Sequence, residues 1–127
     1  MADCTAKKIG EMEAAYGGGF VKVRAELGVS AFGMQVIQLP ADYGDYPEHD
    51  HAESAQEEVF LAIGGSGWID VEGERVELDA DTFVRVGAQA RRKVYAGPQG
   101  LRVLVIGGAP GEAYKINPTT ELTGSAA

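Results

Sequence analysis

Cysteine is nearly absent from this sequence, since Cys4 is the only one among 127 residues. An internal disulfide is therefore excluded. The sequence also lacks any apolar run near the roughly 20 residues that a membrane-spanning helix requires. Its first ten residues contain no apolar segment of the kind found in secretory signal peptides. We expect a cytoplasmic protein with no membrane partner.

Positive charge is also scarce in the chain. Eleven lysines and arginines stand against 19 aspartates and glutamates, which gives a formal net charge of −8. Proteins that bind nucleic acid or anionic membrane surfaces usually present a basic face to them. The composition therefore argues against a nucleic-acid partner, and its simplest consequence is solubility. At this length we expect one domain with a single core.

Glycine, by contrast, is abundant, with 18 residues spread among short apolar runs. Short apolar runs separated by turn residues are typical of an all-β sandwich or barrel. We predict an N-terminal segment with a short helical turn (1–19), a β domain (20–108) and a C-terminal arm (109–127) whose last residues are disordered. The predicted strands cover residues 20–25, 32–39, 58–63, 68–71, 75–78, 82–86, 91–95 and 101–106. The apolar side chains expected in the core are Phe60, Trp68, Ile69, Phe83 and Val103.

Both histidines of the chain lie close together, at His49 and His51, and Glu58 follows at the start of an apolar run. Residues two apart in a strand point to the same face, so the two imidazoles can converge. Two imidazoles and a carboxylate form the ligand set of non-heme iron sites, and they also suit zinc, manganese or nickel. Because acidic residues surround the histidines, an ordinary solvated loop is the competing interpretation.

The stretch from Gly44 to Gly65 resembles the first signature motif of the cupin superfamily. In that motif a His-x-His pair is followed by a glutamate, six residues and a glycine. Glu58 is followed by six residues and Gly65, whereas Glu57 would pair with Gly64. The spacer between His51 and Glu58 is two residues longer than usual. The resemblance implies a single-domain antiparallel cupin β-barrel, also called a double-stranded β-helix or jelly roll.

The second cupin motif is matched in spacing but not in its residues. The position of its ligand histidine corresponds to Arg91, or to Arg92 if the assignment shifts by one residue. An arginine side chain stays protonated and cannot coordinate a cation. The resemblance therefore implies a divalent metal site formed by His49, His51 and Glu58, without the third imidazole.

Three hypotheses follow for the function. In the first, the metal site acts on a small anionic organic substrate by oxygenation, isomerisation or decarboxylation, as in related cupins. Arg91 and Tyr46 then contact the substrate, and Gln56 is an auxiliary metal ligand. In the second, the site is metal-free, Arg91 pairs with Glu58 inside the barrel, and the cavity binds or senses a small molecule. In the third, the histidines are surface residues of a scaffold.

The oligomeric state is also predicted from the fold. Open β-sheets often bury their edge strands by pairing with another chain, and the resemblance to small cupins implies a dimer. We therefore expect a homodimer.

Overall fold

The computed structural model describes residues 2–124, and almost all of its regular structure is β-strand. Short 3-10 turns occur at Ile9–Glu11, Tyr16–Gly18 and Pro118–Thr120. The strands and the short α-helix of this part of the chain are β1 (Ala14–Ala15), β2 (Phe20–Val21), α1 (Val23–Leu27), β3 (Gly33–Leu39), β4 (Glu57–Val71), β5 (Glu74–Leu78), β6 (Val84–Val86) and β7 (Arg92–Gly108). No helix among these residues is long and apolar enough to cross a membrane.

All strand pairings in this part of the chain are antiparallel. The strands are arranged in the order β1-β2-β3-β7-β4-β5, and β6 pairs with β4. The first half of β4 pairs with β6, whereas its second half pairs with β5. The last half of β7 lies between β3 and β4. Two long strands thus connect the layers of an antiparallel barrel, as the sequence predicts.

Glycines mark the place where β4 and β7 change register. The register shifts between Ala62 and Gly64 and again between Gly65 and Gly67. Gly65 has a left-handed φ of +66°, and a Cβ there would lie 2.1 Å from the carbonyl oxygen of Gly100. Only glycine fits this close approach of two backbones. Bulges therefore replace two of the predicted strand breaks. The strands predicted over 58–63 and 68–71 are one strand, β4, and those predicted over 91–95 and 101–106 are one strand, β7.

The main core fills the barrel interior. It contains Phe60, Ile69 and Val103, each no more than 1% exposed, which confirms three of the predicted core residues. The prediction for Phe83 is wrong, because that side chain is 73% exposed. Val84 and Val86 point inward, so alternation along the strand turns Phe83 outward. Trp68 is only half-buried, and its ring stacks on that of Tyr95 with the centroids 5.2 Å apart.

A second, smaller core joins the N-terminal segment to the outside of β3. Met12, Val21 and Val23 pack there against Val36. The helical turn predicted near the N-terminus is reduced to Ile9–Glu11. The strand predicted over 20–25 ends at residue 21, because α1 begins at residue 23. This segment is therefore packed structure rather than a loose extension.

The C-terminal arm is also tied to the N-terminal segment. The backbone N–H groups of Thr123 and Gly124 donate hydrogen bonds to the Glu13 carboxylate. The Nζ of Lys22 donates to the carbonyl oxygen of Glu121, at 2.8 Å. The disorder predicted for the last residues of the arm concerns 125–127, which lie outside the described residues. Up to residue 124, the arm is held across the molecule by these bonds.

Candidate metal centre and adjoining cavities

The loop that carries the two histidines is fixed to β7 and to the loop before it by backbone hydrogen bonds. His49 and Arg92 exchange N–H···O bonds of 2.9 and 2.8 Å, which form an isolated β-bridge. The N–H of His51 donates to the carbonyl oxygen of Ala88 at 2.8 Å. Glu58 is the second residue of β4 and points into the barrel. Main-chain bonding thus places the three predicted ligands around one point.

The three side chains converge as the sequence predicts. One ligand atom from each of His49, His51 and Glu58 lies within 4.8 Å of the other two. The two imidazole rings are nearly perpendicular, at 89°, and their centroids are 5.0 Å apart. Glu58 is buried, whereas the histidines are half-buried and accessible from one side. The group is therefore a half-open set of donors rather than a closed cluster.

The Nε2 atom of His51 is buried and makes no well-aligned hydrogen bond within residues 2–124. It lies 3.2 Å from Oε1 of Glu58, close enough for an ion pair if the imidazole is protonated. Buried polar atoms without a well-aligned partner are rare in folded proteins and call for a physical explanation. In its neutral form, an imidazole nitrogen this close to a carboxylate oxygen can share a divalent metal ion with it. The donor set therefore fits a divalent metal.

The protonation states at neutral pH agree with this fit. Burial, which is the largest effect, lowers the pKa of His49, so this imidazole is neutral. Burial raises the pKa of Glu58, but contact with His51 and the charge of Arg92 together bring it below its ordinary value. Neutral imidazole and ionised carboxylate are the forms that bind metals. His49 Nδ1 is 3.3 Å from the carbonyl oxygen of Pro47, so Nδ1 is the donor and Nε2 is free to coordinate.

The arginine inside the barrel is Arg92 rather than Arg91. Its side chain is fully buried, and NH1 donates to Oε1 of Glu58 at 2.7 Å. Nε donates to the carbonyl oxygen of Ala90 at 2.9 Å, and NH2 donates to that of Gly87. All three nitrogens of the guanidinium are thus used within the protein. The Glu58 partner predicted as Arg91 in the metal-free hypothesis is therefore Arg92.

Arg91 lies on the outer side of the same strand end. Its side chain is about half exposed and pairs with Glu48 at 3.1 Å and with Asp50 at 3.5 Å. Successive strand residues point to opposite faces, so only one of the two arginines can face inward. Arg91 does not line either cavity described below. The sequence-based prediction placed Arg91 beside a substrate, whereas the structure places it outside both cavities.

A cavity of about 580 Å³ opens above the three ligand residues. Tyr46 and Gln56, both predicted as site residues, lie in its wall. Burial, followed by the negative charge of Glu58, raises the pKa of Tyr46 to about 12, so the phenol stays protonated. The cavity volume is in the range that binds small organic molecules. Tyr46 and Gln56 therefore lie where a bound molecule can contact them.

Part of the cavity wall comes from segments that sequence reasoning did not assign to the site. The C-terminal arm contributes Tyr114, Lys115 and Ile116, and the N-terminal region contributes Tyr16 and Phe20. No local motif marks these residues, because their place at the site depends on long-range packing of both chain ends. The arm is thus a wall of the cavity.

A groove of about 650 Å³ adjoins this cavity. Tyr16, Phe20, Tyr46 and His49 line both spaces and separate them. The other side of the groove is formed by the loop after β3, which includes Tyr43. His49 therefore faces two compartments, one with the remaining ligand residues and one with an aromatic lining.

The comparisons with known proteins identify structural rather than sequence relatives. No family model matches the chain, and no curated protein matches it in sequence. A cupin protein from Bacteroides fragilis aligns over 97% of this chain and 98% of its own, with a TM-score of 0.70 and 22% identity. An rmlc-like cupin protein from Desulfovibrio desulfuricans aligns over 61% of this chain and 72% of its own, with a TM-score of 0.54 and 18% identity.

A third solved structure, a cupin-2 domain-containing protein from Shewanella frigidimarina, gives a TM-score of 0.51 at 17% identity. It aligns over 65% of this chain and 76% of its own. At these identities the likeness concerns the backbone arrangement and does not extend to a shared activity. The antiparallel barrel, its bulged long strands and these structural relatives lead to the same conclusion: the chain has the cupin fold.

Proposed function

We propose that this protein binds a divalent metal ion through His49, His51 and Glu58, with Gln56 as an auxiliary ligand, and that a small organic molecule occupies the cavity above it. The observation that supports the proposal most directly is that one donor atom from each of the three side chains lies within 4.8 Å of the other two. Zinc, iron, manganese and nickel are all compatible with this ligand set. A metal held there would supply Lewis acidity toward an oxygen atom of the bound molecule.

Arg92 has a positioning role in this proposal. Its guanidinium fixes the Glu58 carboxylate by a charge-assisted hydrogen bond of 2.7 Å. The same positive charge opposes a metal cation bound to that carboxylate, so Arg92 lowers the affinity of the site while it orients the ligand. We infer that the metal site is weaker than one with a third imidazole.

The proposal does not assign the recognition of an anionic substrate to an arginine. Arg91 is paired with Glu48 outside the cavity, and the three guanidinium nitrogens of Arg92 are used by Glu58 and two carbonyl groups. The proposal therefore covers a small organic molecule and one of the oxygenation, isomerisation or decarboxylation reactions, with no arginine as the recognition element.

Metal content and chelator sensitivity test this proposal. We expect protein purified without chelator or affinity tag to contain a divalent metal by elemental mass spectrometry. A metal at 100 times its Kd stabilises the fold by about 2.7 kcal/mol, so EDTA should lower the melting temperature. His49→Ala and His51→Ala should each abolish this sensitivity.

The matched control is Glu53→Gln, which removes a carboxylate that lines the same cavity outside the ligand group. This variant should keep the metal and the response to EDTA. A protein that contains no metal, and whose melting temperature is unaffected by EDTA and by added zinc, iron(II), manganese or nickel, would contradict the proposal.

The buried Arg92–Glu58 pair favours a second candidate function, a metal-free ligand-binding cupin. An ion pair in which both partners are already satisfied does not need a metal to offset the burial of Glu58. Arg92→His separates the two functions because it supplies a third imidazole. In the metal-binding protein this variant should bind metal more tightly, whereas in the metal-free protein it should only lose stability.

We also propose that the protein forms a homodimer. Val59 and Ile106 are neighbours on the outer face of β4 and β7, and each is 37% exposed. Ile63 on the same strand is 49% exposed. Exposed apolar side chains on neighbouring strands support self-association. Sedimentation equilibrium measures the oligomeric state of the wild type and of Ile63→Asp directly.

A further inference from the structure

The aromatic groove beside the ligand cavity has a chemistry of its own. Three tyrosines and a phenylalanine contribute to its lining, namely Tyr16, Phe20, Tyr43 and Tyr46. Among the described residues that line the groove, Asp45 is the one with a charged side chain. Its volume of about 650 Å³ is in the usual range for small-molecule sites. A site composed of π-faces and a single carboxylate discriminates among ligands by their charge.

The adjoining cavity has the same sign of charge. Its lining includes the carboxylates of Glu53 and Glu112 as well as Glu58, whose charge is compensated by Arg92. Within residues 2–124 its one lysine or arginine is Lys115, an exposed residue of the C-terminal arm. No lysine or arginine in this part of the chain lines the groove itself. Without a bound metal, an anion entering either compartment therefore meets more negative than positive charge, whereas a cation is attracted.

Tyr16 is placed so that its ring can close on a ligand. It lies at the boundary of the two compartments, its side chain is 80% exposed, and its backbone has a left-handed φ of +56°. The rings of Tyr16 and Phe20 are nearly perpendicular, at 81°, with their centroids 6.2 Å apart, so at least one face of Tyr16 is not covered by Phe20. Aromatic faces attract cations, most effectively where several rings surround the charge.

We propose that the groove binds the head of an organic cation, an ammonium group that carries alkyl substituents, between Tyr16, Tyr43 and the carboxylate of Asp45. The rest of the ligand then extends past His49 into the cavity of the candidate metal centre. Recognition of the cation depends only on the groove, whereas presentation of the ligand to a metal rests on the proposed function.

Calorimetric titration of the full chain with choline tests the proposal. The probe for charge is 3,3-dimethylbutan-1-ol, in which carbon replaces the nitrogen of choline and the shape is retained. We expect choline to bind about tenfold more tightly than this alcohol, because the rings favour the cation. Benzoate, as an aromatic anion, should bind more weakly than choline.

Variants of the groove locate the site. Tyr16→Leu and Tyr43→Leu keep apolar bulk but remove a π-face, and each should weaken choline binding by about threefold or more. Asp45→Asn should weaken it by about twofold, as expected for an exposed charge. The matched controls are Phe83→Leu and Asp81→Asn, which change an exposed aromatic residue and an exposed acid outside both compartments. The controls should leave choline binding unchanged.

The titrations are carried out in EDTA and again with zinc, so that a failure of this inference can be distinguished from a failure of the proposed function. His51→Ala should lose any metal response yet still bind choline. Choline binding without any metal response would support the groove and contradict the metal site. Equal affinity for choline and its uncharged analogue, absence of choline binding under both conditions, or unchanged affinity in Tyr16→Leu and Tyr43→Leu would overturn the inference.

Discussion

Two buried carboxylates, Glu58 and Glu13, each pair with a cation at 2.7 Å, one with Arg92 and the other with Lys22. The first pair, the inner pair, lies inside the barrel below the cavity. The second pair, the outer pair, lies between the N-terminal segment and the C-terminal arm. The bond length is the same in both, yet the surroundings of the two carboxylates differ.

The outer pair is saturated with hydrogen bonds. Glu13 accepts bonds from the N–H groups of Thr123 and Gly124 as well as from Lys22, and Lys22 also donates to the backbone of Glu121. The inner carboxylate has Arg92 on one side, but on the other it faces His51, whose Nε2 lies 3.2 Å away and makes no well-aligned hydrogen bond within residues 2–124. A fully satisfied polar network holds a structure in one arrangement. The inner pair also borders a cavity, so a ligand can reach its histidine side, whereas the outer pair is enclosed by the two chain ends.

Arg92→Met is the strongest test of this contrast. It leaves Glu58 buried without its partner, and we expect a loss of about 3–5 kcal/mol in the free energy of unfolding. Urea denaturation at pH 7 measures this loss. Glu58→Leu combined with Arg92→Met should recover most of it, because no uncompensated charge then remains.

Lys22→Met is the matched variant of the outer pair. Glu13 keeps the N–H donors of Thr123 and Gly124 in that variant, so the loss should be smaller than for Arg92→Met. Equal losses in the two variants would remove the distinction between the pairs.

Acid should weaken the outer pair over a defined pH range. The hydrogen bond from Lys22, together with those from Thr123 and Gly124, lowers the pKa of Glu13 from 4.5 to about 2. A carboxylate whose pKa is depressed on folding stabilises the protein above its unfolded pKa and loses this contribution as pH falls toward the folded value. The stability advantage of wild type over Glu13→Gln should therefore shrink between pH 5 and about pH 2 in urea titrations. An advantage that stays constant over this range would show that Glu13 titrates normally.

The smallest effect is expected at the edge of the outer pair. Arg24 forms an ion pair with Glu121; the Arg24 side chain is buried, but the Glu121 side chain is 51% exposed. Water and salt screen the charge of an exposed partner, so an ion pair of this kind contributes little. Glu121→Gln should therefore change the free energy of unfolding by about 1 kcal/mol or less, and added salt should reduce the difference further. A loss as large as that of Arg92→Met would show that the arm depends on this single pair.

The fold and the convergence of the two histidines with Glu58 could be predicted because their signals are local. The short apolar runs and turn residues indicate an all-β sandwich or barrel, and the resemblance to the cupin motif selects the barrel. The His-x-His spacing places two imidazoles together. The predictions for Arg91 and Phe83 failed because they depend on which residues of a strand point inward and which point outward. Lys93 shares a face with Arg91, and because lysine is seldom buried, that face is the outer one. The same argument turns Phe83 outward, since Arg85 lies on its face.

The cavity walls could not be predicted in the same way. Glu13 contacts Thr123 across 110 residues of chain, and no local pattern encodes such a contact. The aromatic groove likewise brings Tyr16 together with the loop that contains Tyr43. These placements depend on the packing of both chain ends against a completed sheet. The residues of the triad were therefore predictable, whereas the surfaces that select a ligand were not.

The position of β7 has a consequence for how the chain is made. This strand pairs with β3 and with β4, yet it is the last strand in the sequence. During synthesis, β3 has no neighbour on that side until more than sixty further residues have been translated. Topologies with such distant partners fold in about milliseconds to seconds rather than microseconds. The nascent chain therefore has exposed strand edges until β7 is translated, and the site cannot form before that point.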